Sequence, residues 1–527
     1  MGNQPEKTNA LQKIYRLRIV IPRYPAFNIY SRIARKTTAL GPVCIASIVN
    51  KMPGWEVEVI DENNYRHYGP KNQEGLPDHE VLQSMRPADI VGFYGGLSST
   101  IPRIFLLAGQ YRQMGIKTIA GGLHFVNETI EEALNNNLDL LLLGEADDTI
   151  QEVLPVLISN GDLRQIAGLA FLENGQIHRT AARPPPQDFE HYPIPDFSLV
   201  RYAKMSLFPV SRVRGCGMNC EFCTVKGCPR YASPEKLLAQ FMSAAERWEA
   251  VNFFIVDDLF GQDRDETLRF CTLLKEYQRK INRSFFITAQ IRLDKANDPV
   301  LLKSMREAGI RVVAIGFESP IPEELKAMNK HLKPEEMIAM ARVFHEHDFM
   351  IHGMFIFGYP LKDGAEMKMS AKDRLRHMSR FIRKAKIDTI QVLLPIPLPG
   401  TEMTRRLEKE NRIFSKKQIG WEYYDGNFPL IIPDPPLTAE DLLASSMGLT
   451  GLFYRFKEMF AIGARCLSFP IIILWFYNLK AGWLIWYKGW RNSIVRFGGW
   501  LTLRNWKIEF KKSDFLEKLK LAAKDKS

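Results

Sequence analysis

The strongest constraint on the fold is the alternation of short apolar runs with stretches of helical periodicity. In the first 165 residues, five aliphatic runs precede such stretches, at residues 17–21, 57–60, 90–94, 117–120 and 140–143. A second series occupies residues 207–213, 251–256, 285–289, 312–316, 350–357 and 387–394. Strands that alternate with helices are typical of parallel sheets. The sequence therefore predicts an α/β protein that contains two such sheets.

A chain of 527 residues is too long for one ordinary hydrophobic core and predicts several domains. The first series predicts a doubly wound, Rossmann-like domain over residues 1–165. The second predicts a partial (βα)6 barrel over residues 205–430. Between them, the proline-rich residues 166–204 predict an extended, semi-rigid linker without chemistry of its own. Residues 431–527 are expected to be mostly helical.

Composition restricts the compartment and the partners. The seven cysteines are odd in number and three of them follow a metal-binding pattern, which favours a reducing cytoplasm over a disulfide framework. Residues 1–17 are polar and charged, so we expect no secretion signal there. The formal net charge of +12 indicates an anionic partner, such as nucleic acid, phosphate or a membrane surface.

Three cysteines form a C-x3-C-x2-C motif directly after the first apolar run of the second series: Cys216, Cys220 and Cys223. Three thiolates on one tight loop can hold three irons of a [4Fe–4S] cluster and leave the fourth iron open. A zinc ion would normally need a fourth protein ligand, for which Cys228 is a candidate. A loop of reduced cysteines without a metal is the third alternative. The spacing favours the cluster. The remaining cysteines in apolar surroundings are expected to be packing residues: Cys44, Cys271 and Cys466.

In this motif the sequence resembles the radical S-adenosylmethionine (SAM) superfamily. The resemblance implies that SAM chelates the open iron through its amino and carboxylate groups. It also implies that one electron from the cluster cleaves SAM to a 5′-deoxyadenosyl radical. An external electron donor of the flavodoxin or ferredoxin type would supply that electron.

Polar residues follow the later strands of the barrel, where barrel enzymes keep their chemistry. Taken singly, each is better explained as a turn or N-cap residue. The resemblance places Asp257 and Asp258 at the amino group of SAM, and Glu318 and Ser319 at its ribose, which suits their hydrogen-bonding groups. Arg292 is the candidate for a carboxylate or phosphate contact. Two glycines would lie along the adenine: Gly353 and Gly358.

Three further side chains lie near the end of the fifth barrel strand: His352, Met354 and Tyr359. His352 is either a proton donor or acceptor in catalysis or a hydrogen-bonded core histidine, which is the commoner case.

Glycine-rich segments follow three strands of the first series, where doubly wound sheets bind ligands. Glycines let the backbone approach a bulky ligand, although by pattern alone tight turns explain them better. The stretch from Gly121 to Asp147 resembles the cobalamin-binding domain that precedes many radical SAM barrels. The resemblance implies cobalamin contacts from seven residues: Gly95, Ser98, Ser99, Gly121, Gly122, Gly144 and Glu145.

Free-standing cobalamin modules usually carry an Asp-x-His-x-x-Gly triplet whose histidine ligates cobalt from below. This sequence lacks the triplet, since Asp61 and His67 have the wrong spacing. The missing triplet implies either that a bound cobalt has no histidine ligand on its lower face or that the domain no longer binds cobalamin. We expect His124 to be a hydrogen-bonded loop residue rather than a metal ligand.

The tail combines an apolar run, residues 467–479, with interleaved aromatic and basic residues. The run is too short to span a bilayer. Tryptophans among basic residues are favoured at the headgroup boundary, so one interpretation is peripheral contact with the inner face of the membrane. The other is a helical cap packed on the barrel. Nucleic acid is not expected, because the aliphatic run fits it poorly. The residues concerned are Trp475, Trp483, Trp486, Trp490, Trp500 and Trp506, with Lys480, Lys488, Arg491, Arg496, Arg504 and Lys507.

The leading hypothesis from the sequence is a cobalamin-dependent radical SAM enzyme that methylates an unactivated carbon of an apolar substrate, such as a lipid. A second enzyme hypothesis keeps the cofactors but performs ring formation or oxidation. A non-catalytic iron–sulfur or corrinoid sensor is the third.

Overall fold

The computed structural model describes residues 13–66, 68–330, 332–362, 364–466 and 480–525, with only the backbone for residues 465, 466 and 480–490. Two sheets organise the described chain, as predicted. The first has eight strands: β1 (Tyr15–Ile21), β2 (Trp55–Asp61), β3 (Ile90–Tyr94), β4 (Lys117–Gly121), β5 (Leu140–Leu142), β6 (Leu169–Glu173), β7 (Gln176–Arg179) and β8 (Val200–Arg201). Helices cover it at Ser31–Ala34, Leu40–Val49, His79–Met85, Ile101–Gln113, Ile130–Asn135 and Thr149–Ser159.

The order of the parallel strands creates a ligand crevice. Strands β2, β1, β3, β4 and β5 are adjacent in that order, with Leu17 opposite both Val57 and Ile90. The order reverses between β1 and β3, so the loops that follow these strands diverge at the carboxyl edge. This arrangement confirms the predicted doubly wound sheet.

The stretch predicted as a linker contributes to the first sheet. Its hairpin, β6 and β7, pairs antiparallel beside β5, and β8 pairs parallel with β2 at the opposite edge. Residues 166–204 therefore pack as part of this sheet and then lead into the barrel.

The second sheet has six parallel strands in chain order, which matches the predicted series. They are β9 (Phe208–Val210), β12 (Asn252–Phe260), β13 (Phe286–Ile291), β14 (Ile310–Glu318), β15 (Met350–Ile356) and β16 (Thr389–Leu393). A small hairpin, β10 (Val213–Arg214) with β11 (Arg230–Tyr231), follows β9. Helices cover this sheet at Pro234–Trp248, Arg264–Lys280, Pro299–Glu307, Pro322–Ala327, Pro334–Glu346, Ala371–Lys384, Glu402–Lys409 and Lys416–Ile419. Buried side chains of both sheets form one continuous apolar core.

The C-terminal region is helical, as predicted. Its helices are Ala439–Phe453, Glu458–Cys466, Lys480–Lys512 and Phe515–Lys524. Thr438 and Asp441 form a reciprocal capping box at the first of them, which fixes its start. Among the described helices, none is long and apolar enough to cross a membrane.

The last two helices pack on the protein through their aromatic residues. Trp506 and Phe515 are buried, and the Phe515 ring lies 4.6 Å from that of Phe428 and 5.0 Å from that of Tyr423. This part of the tail therefore forms the helical cap of the second interpretation. The apolar run 467–479 and the side chains of Trp475, Trp483, Trp486 and Trp490 lie outside the described part.

Phe515→Ala tests this packing. Loss of a fully buried aromatic ring should lower the free energy of unfolding by about 3–5 kcal/mol. The matched control is Leu516→Ala, because Leu516 is 44% exposed. Thermal and urea unfolding of both variants would measure the difference. Equal effects would contradict the cap.

Candidate active site

The cysteine motif lies on a loop that the β10–β11 hairpin closes. The two strands pair antiparallel, so the loop 215–229 leaves and re-enters at one point. Gly217 N donates to the carbonyl oxygen of Gly227 at 2.9 Å, which draws the two ends of the loop together. We call these two ends, next to β10 and β11, the neck of the loop. Because the hairpin follows the end of β9, the cysteines stand at the carboxyl edge of the second sheet, where parallel barrels carry their active sites.

The neck of this loop requires glycine at one position. Gly215 has φ +84°, and a Cβ there would lie 2.7 Å from the carbonyl oxygen of Cys228. Only glycine adopts this conformation and tolerates this approach. Cys228 thus lies in the neck, with an exposed side chain, whereas the three motif cysteines are half-buried.

Glu221, between the second and third cysteines, anchors the loop to the barrel. Its Oε1 accepts from Arg406 Nε at 2.7 Å, and its Oε2 accepts from the Tyr359 hydroxyl at 2.7 Å. Arg406 also donates to the carbonyl oxygens of Pro360 and Leu361. The carboxylate is buried and fully hydrogen-bonded, which a buried ion pair needs to be stable. Sequence reasoning missed Glu221 and Arg406; the only signal was a carboxylate inside the metal motif.

The motif thiols suit a cluster better than a single ion. Burial raises the pKa of Cys220, and burial with the neighbouring motif thiols raises that of Cys223, so bound iron is needed to hold them as thiolates. In a cluster each of the three thiolates would bind a different iron, which suits three cysteines on one loop.

The two adjacent aspartates of β12 face opposite sides of the sheet, as neighbours on a strand do. Asp257 is buried, and its Oδ1 accepts from Ser211 Oγ and from the backbone nitrogens of residues 212 and 213 at 2.7–2.9 Å. Burial raises its pKa to about 6 despite these bonds. Asp258 accepts from Gly215 N at 2.7 Å and lines a large cavity. Asp257 therefore holds the strand before the cysteine loop, and Asp258 reaches the loop itself.

Two other residues predicted to bind SAM, Arg292 and Glu318, also lie beside the cysteine loop. Arg292 Nη1 lies 2.8 Å from Met218 Sδ, so it reaches the cysteine loop, and it pairs with Asp294. Glu318 has φ +60° and pairs with the half-buried Lys330 at 2.9 Å, beside Cys220. A non-glycine residue held in this region is typical of functional sites. These charges around the loop fit the ammonium and carboxylate groups of SAM.

Ser319 and the two glycines predicted to lie along the adenine, Gly353 and Gly358, contact or closely approach other residues of the protein. The Ser319 hydroxyl donates to buried Glu324, which pairs with Arg374 at 2.9 Å. A Cβ at Gly353 would lie 2.9 Å from the Ile387 side chain. A Cβ at Gly358 would lie 2.3 Å from Leu442 of a C-terminal helix. Their roles in SAM binding stay predictions.

A polar patch lies on β15 and β16. His352 Nδ1 is 2.8 Å from Thr389 Oγ1, and its Nε2 is 3.4 Å from Gln391 Oε1. Burial lowers the pKa of His352, so the ring is neutral at physiological pH. Tyr30 of the first domain hydrogen-bonds to Gln391 and lies near buried Asp425. The patch also includes Met354 on the same face of β15, whereas Tyr359 is committed to Glu221.

A cavity of about 720 Å³ separates the two domains. Its walls come from the carboxyl edge of the first sheet, the helix Leu40–Val49, the predicted linker and the cysteine hairpin. Gly121, Gly122, Gly144 and Glu145 line it, whereas Gly95, Ser98 and Ser99 do not. A Cβ at Gly144 would meet no atom within 4 Å, so the backbone there faces open space. The glycine wall fits a flat, bulky ring such as a corrin.

An ion cluster joins the first domain to the cysteine hairpin across this cavity. Arg214 forms a bidentate pair with Asp147 at 2.8 and 2.9 Å and contacts Glu145 at 2.9 Å, and Arg230 also pairs with Glu145. The two carboxylates raise the pKa of Arg214 and keep it charged. Glu145 was predicted to bind cobalamin; here it binds arginines at the cavity wall. Arg214 and Arg230 were missed because nothing in the sequence indicates their partners.

The first-domain candidates that do not line the cavity pack within the protein next to it. The His124 Nδ1 lies 2.9 Å from Ser98 Oγ, and its ring stacks edge-on against Trp421 at 4.6 Å. Burial lowers the pKa of His124 to about 3, so it is a neutral, hydrogen-bonded loop residue. A Cβ at Gly95 would lie 2.4 Å from the Phe125 ring, and the Ser99 hydroxyl is buried without a partner.

Comparison with known proteins agrees with this geometry. Residues 210–373 match the family model of the Radical SAM superfamily. This segment begins at the end of β9 and contains the three motif cysteines, Asp258, Arg292 and Glu318. Residues 210–373 therefore form a radical SAM domain, as the resemblance of the cysteine motif predicted.

Curated relatives match this chain over about half to three quarters of its length. An uncharacterized methyltransferase of Pyrococcus horikoshii is 25% identical over 54% of this chain and 61% of its own length. The hopanoid C-2 methylase of Rhodopseudomonas palustris is 23% identical over 62% of this chain and 58% of its own. The bacteriochlorophyllide d C-12(1)-methyltransferase of Chlorobaculum tepidum is 25% identical over 71% and 76%. The first two matches span about three fifths of those relatives.

Solved structures share the arrangement of the two domains. TsrM from Kitasatospora setae, a radical SAM methyltransferase with cobalamin and [4Fe–4S] cluster bound, has a TM-score of 0.62 and 14% identity, over 83% of this chain and 89% of its own. OxsB with aqua-cobalamin and SAM bound has a TM-score of 0.64 and 14% identity, over 97% and 81%. The chain therefore has the fold of cobalamin-dependent radical SAM enzymes.

Arg406→Met tests the anchor of the cysteine loop. The change leaves Glu221 buried without its charge partner, which should lower the free energy of unfolding by about 3 kcal/mol. The iron content after anaerobic reconstitution should fall with it. The control is Arg405→Met, since Arg405 is 57% exposed, lies 3.6 Å from Glu128 and donates to the carbonyl oxygen of Gly400. Equal iron content and urea midpoints in the two variants would contradict the anchor.

Asp425→Asn tests the buried acid beside the polar patch. Burial raises the pKa of Asp425 to about 7, above its value of about 4 in an unfolded chain. The folded state therefore binds the extra proton, and the stability from this group is lost as pH rises from 4 through 7. The variant should match wild type near pH 4 and exceed it at pH 8, by roughly 4 kcal/mol. Thermal unfolding across this range, with 89%-exposed Asp265→Asn as control, measures the effect. A pH-independent difference would rule out this titration.

Proposed function

We propose that the chain is a cobalamin-dependent radical SAM methyltransferase that acts on an unactivated carbon of an apolar small molecule. The proposal rests on one cavity between the two domains. The cysteine hairpin bounds it on one side, and the glycine wall of the first domain, formed by Gly121, Gly122 and Gly144, bounds it on the other. When bound, the cluster would supply the electron that cleaves SAM, and cobalamin would supply the methyl group.

The residues of the chain would hold both cofactors against one carbon. Gly121 and Gly144 leave room for a flat ring, and Asp258 faces the same cavity from the barrel. The ion cluster of Arg214 with Asp147 would fix the distance between the two domains and exclude water from the space between them.

The substrate is proposed to enter the barrel beside the polar patch. Relatives named for hopanoid and bacteriochlorophyllide methylation support a large apolar substrate. His352, Gln391 and Tyr30 would orient one polar group of that substrate by hydrogen bonds, because neutral groups discriminate polar atoms without charge. A flavodoxin- or ferredoxin-type donor would provide electrons.

The first test is SAM cleavage by the reconstituted enzyme. Wild type should release 5′-deoxyadenosine under reducing conditions, and Cys223→Ala should release none because one iron loses its ligand. Cys228→Ala is the matched control and should retain both iron and cleavage. Release by the Cys223→Ala variant at the wild-type rate would sink the cluster assignment, and no release by any variant would favour a sensor.

The second test separates cobalamin from the cluster. Gly121→Leu should fill the glycine wall, since a Cβ there meets only ordinary contacts at 3.5 and 3.6 Å and the rest of the side chain must enter the cavity. Corrinoid retained on the purified protein should fall at least about tenfold, while iron and 5′-deoxyadenosine release persist. Unchanged corrinoid content would place cobalamin elsewhere.

The identity of the substrate and the type of reaction are tested in cells. Mass spectrometry of lipid and small-molecule extracts, with and without the gene, should show compounds that differ by one methyl group. Products that differ by loss of hydrogen, without an added carbon, would favour ring formation or oxidation instead.

A further inference from the structure

A second cavity, of about 760 Å³, lies at the other end of the barrel. Lys386 and Ile387 line it from the turn that enters β16, and the helices Ala371–Lys384, Ala439–Phe453 and Lys480–Lys512 supply the rest. Because the strands are parallel, the amino end of β16 is opposite the edge that carries the cysteine loop. The cavity is therefore separate from the candidate active site.

The charge of this cavity is strongly one-sided. Within the described residues its lining contains no carboxylate, and its cations are Arg376, Arg380, Arg383, Lys386, Arg455 and Arg496. Arg376 pairs with Asp373 at 3.5 Å and Arg455 with Glu458 at 3.9 Å, distances at which exposed pairs contribute little. The other four form no ion pair with any described residue. Such a concentration of like charge is costly unless an anion neutralises it.

Several buried polar atoms at the cavity also lack partners. Ser379 Oγ, Arg455 Nε, Asn492 Oδ1 and Arg496 Nε are buried and form no hydrogen bond. Each unsatisfied buried group costs free energy, and more for a charged one. Guanidinium groups form their strongest hydrogen bonds with phosphate and carboxylate oxygens. The cavity thus offers donors where an oxyanion would satisfy them.

The floor of the cavity is apolar. Ile382, Ile387 and Leu449 are buried beneath the cations, and Phe453 stacks under Arg496 at 4.6 Å. A free inorganic anion would leave this floor uncovered. A ligand with an anionic group and an attached hydrocarbon portion would cover both halves.

We propose that this cavity binds the headgroup and first acyl carbons of an anionic phospholipid. The sequence of the long helix supports a membrane surface as the source, since tryptophans and lysines interleave immediately before Arg491 at Trp483, Trp486, Lys488 and Trp490. The cavity anchors the base of the barrel to the membrane and leaves the candidate active site at the opposite edge. This proposal does not depend on the proposed function.

The test is flotation of the full chain with vesicles of phosphatidylcholine alone or mixed with phosphatidylglycerol. Binding is expected only to the mixed vesicles, and Arg380→Gln/Arg383→Gln should weaken it about thirtyfold. The matched control is Lys368→Gln/Lys372→Gln, which removes the same charge from residues just before and within the first turn of the same helix. It should bind as wild type does. Equal loss in both double variants, or no binding by wild type, overturns the proposal.

Calorimetric titration distinguishes the ligand chemistry. Dihexanoyl-phosphatidylglycerol below its micellar concentration should bind wild type at least about tenfold more tightly than inorganic phosphate, because only the lipid covers the apolar floor. Phosphate that binds equally well would identify a free-anion site. An oligoglutamate peptide that competes as well as the lipid would identify an acidic protein segment. Either result overturns the lipid assignment.

Discussion

The cysteine hairpin is held by charge from two sides, and the candidate active site depends on this restraint. On the barrel side, Glu221 lies buried between two cysteines and accepts from Arg406 and Tyr359. On the other side, Arg214 reaches across the cavity to Asp147. Burial strengthens both contacts, because little water screens them, and it also makes either one costly to break. A loop with several glycines would otherwise sample many conformations.

This restraint links the two domains to one chemistry. The carboxyl edges of two parallel sheets meet at the hairpin, so the glycine wall of the first sheet and the polar strand ends of the second face a shared cavity. Parallel strands place all their carboxyl ends on one edge, which is why ligand sites collect there. The base of the barrel is left for a different use, and its basic cavity is suited to attachment rather than catalysis.

Much of the fold was predictable because its signals are local. Period-two aliphatic runs and helical periodicity identified the strands of both sheets, and the cysteine spacing identified the cluster loop. The role of residues 166–204 was not predictable, because proline-rich sequence does not reveal that its hairpin pairs beside β5. The adjacent aspartates show the same limit. Strand alternation separates Asp257 from Asp258, but which of them faces the cavity depends on how the helices pack.

The sequence by itself determined the class: three cysteines at a spacing that suits one cluster, at the start of a series of parallel strands. It also showed glycines at the ends of three strands of the first sheet. The requirement for glycine at Gly215 came from the structure, because a Cβ there would meet the carbonyl oxygen of Cys228. Only the tertiary structure decided which charges meet. Glu145 turned out to bind arginines, Glu221 emerged as an anchor, and six cations of distant segments converged on one cavity. Ion pairs between remote residues leave no local pattern, because their partners are brought together only when the sheets and helices pack.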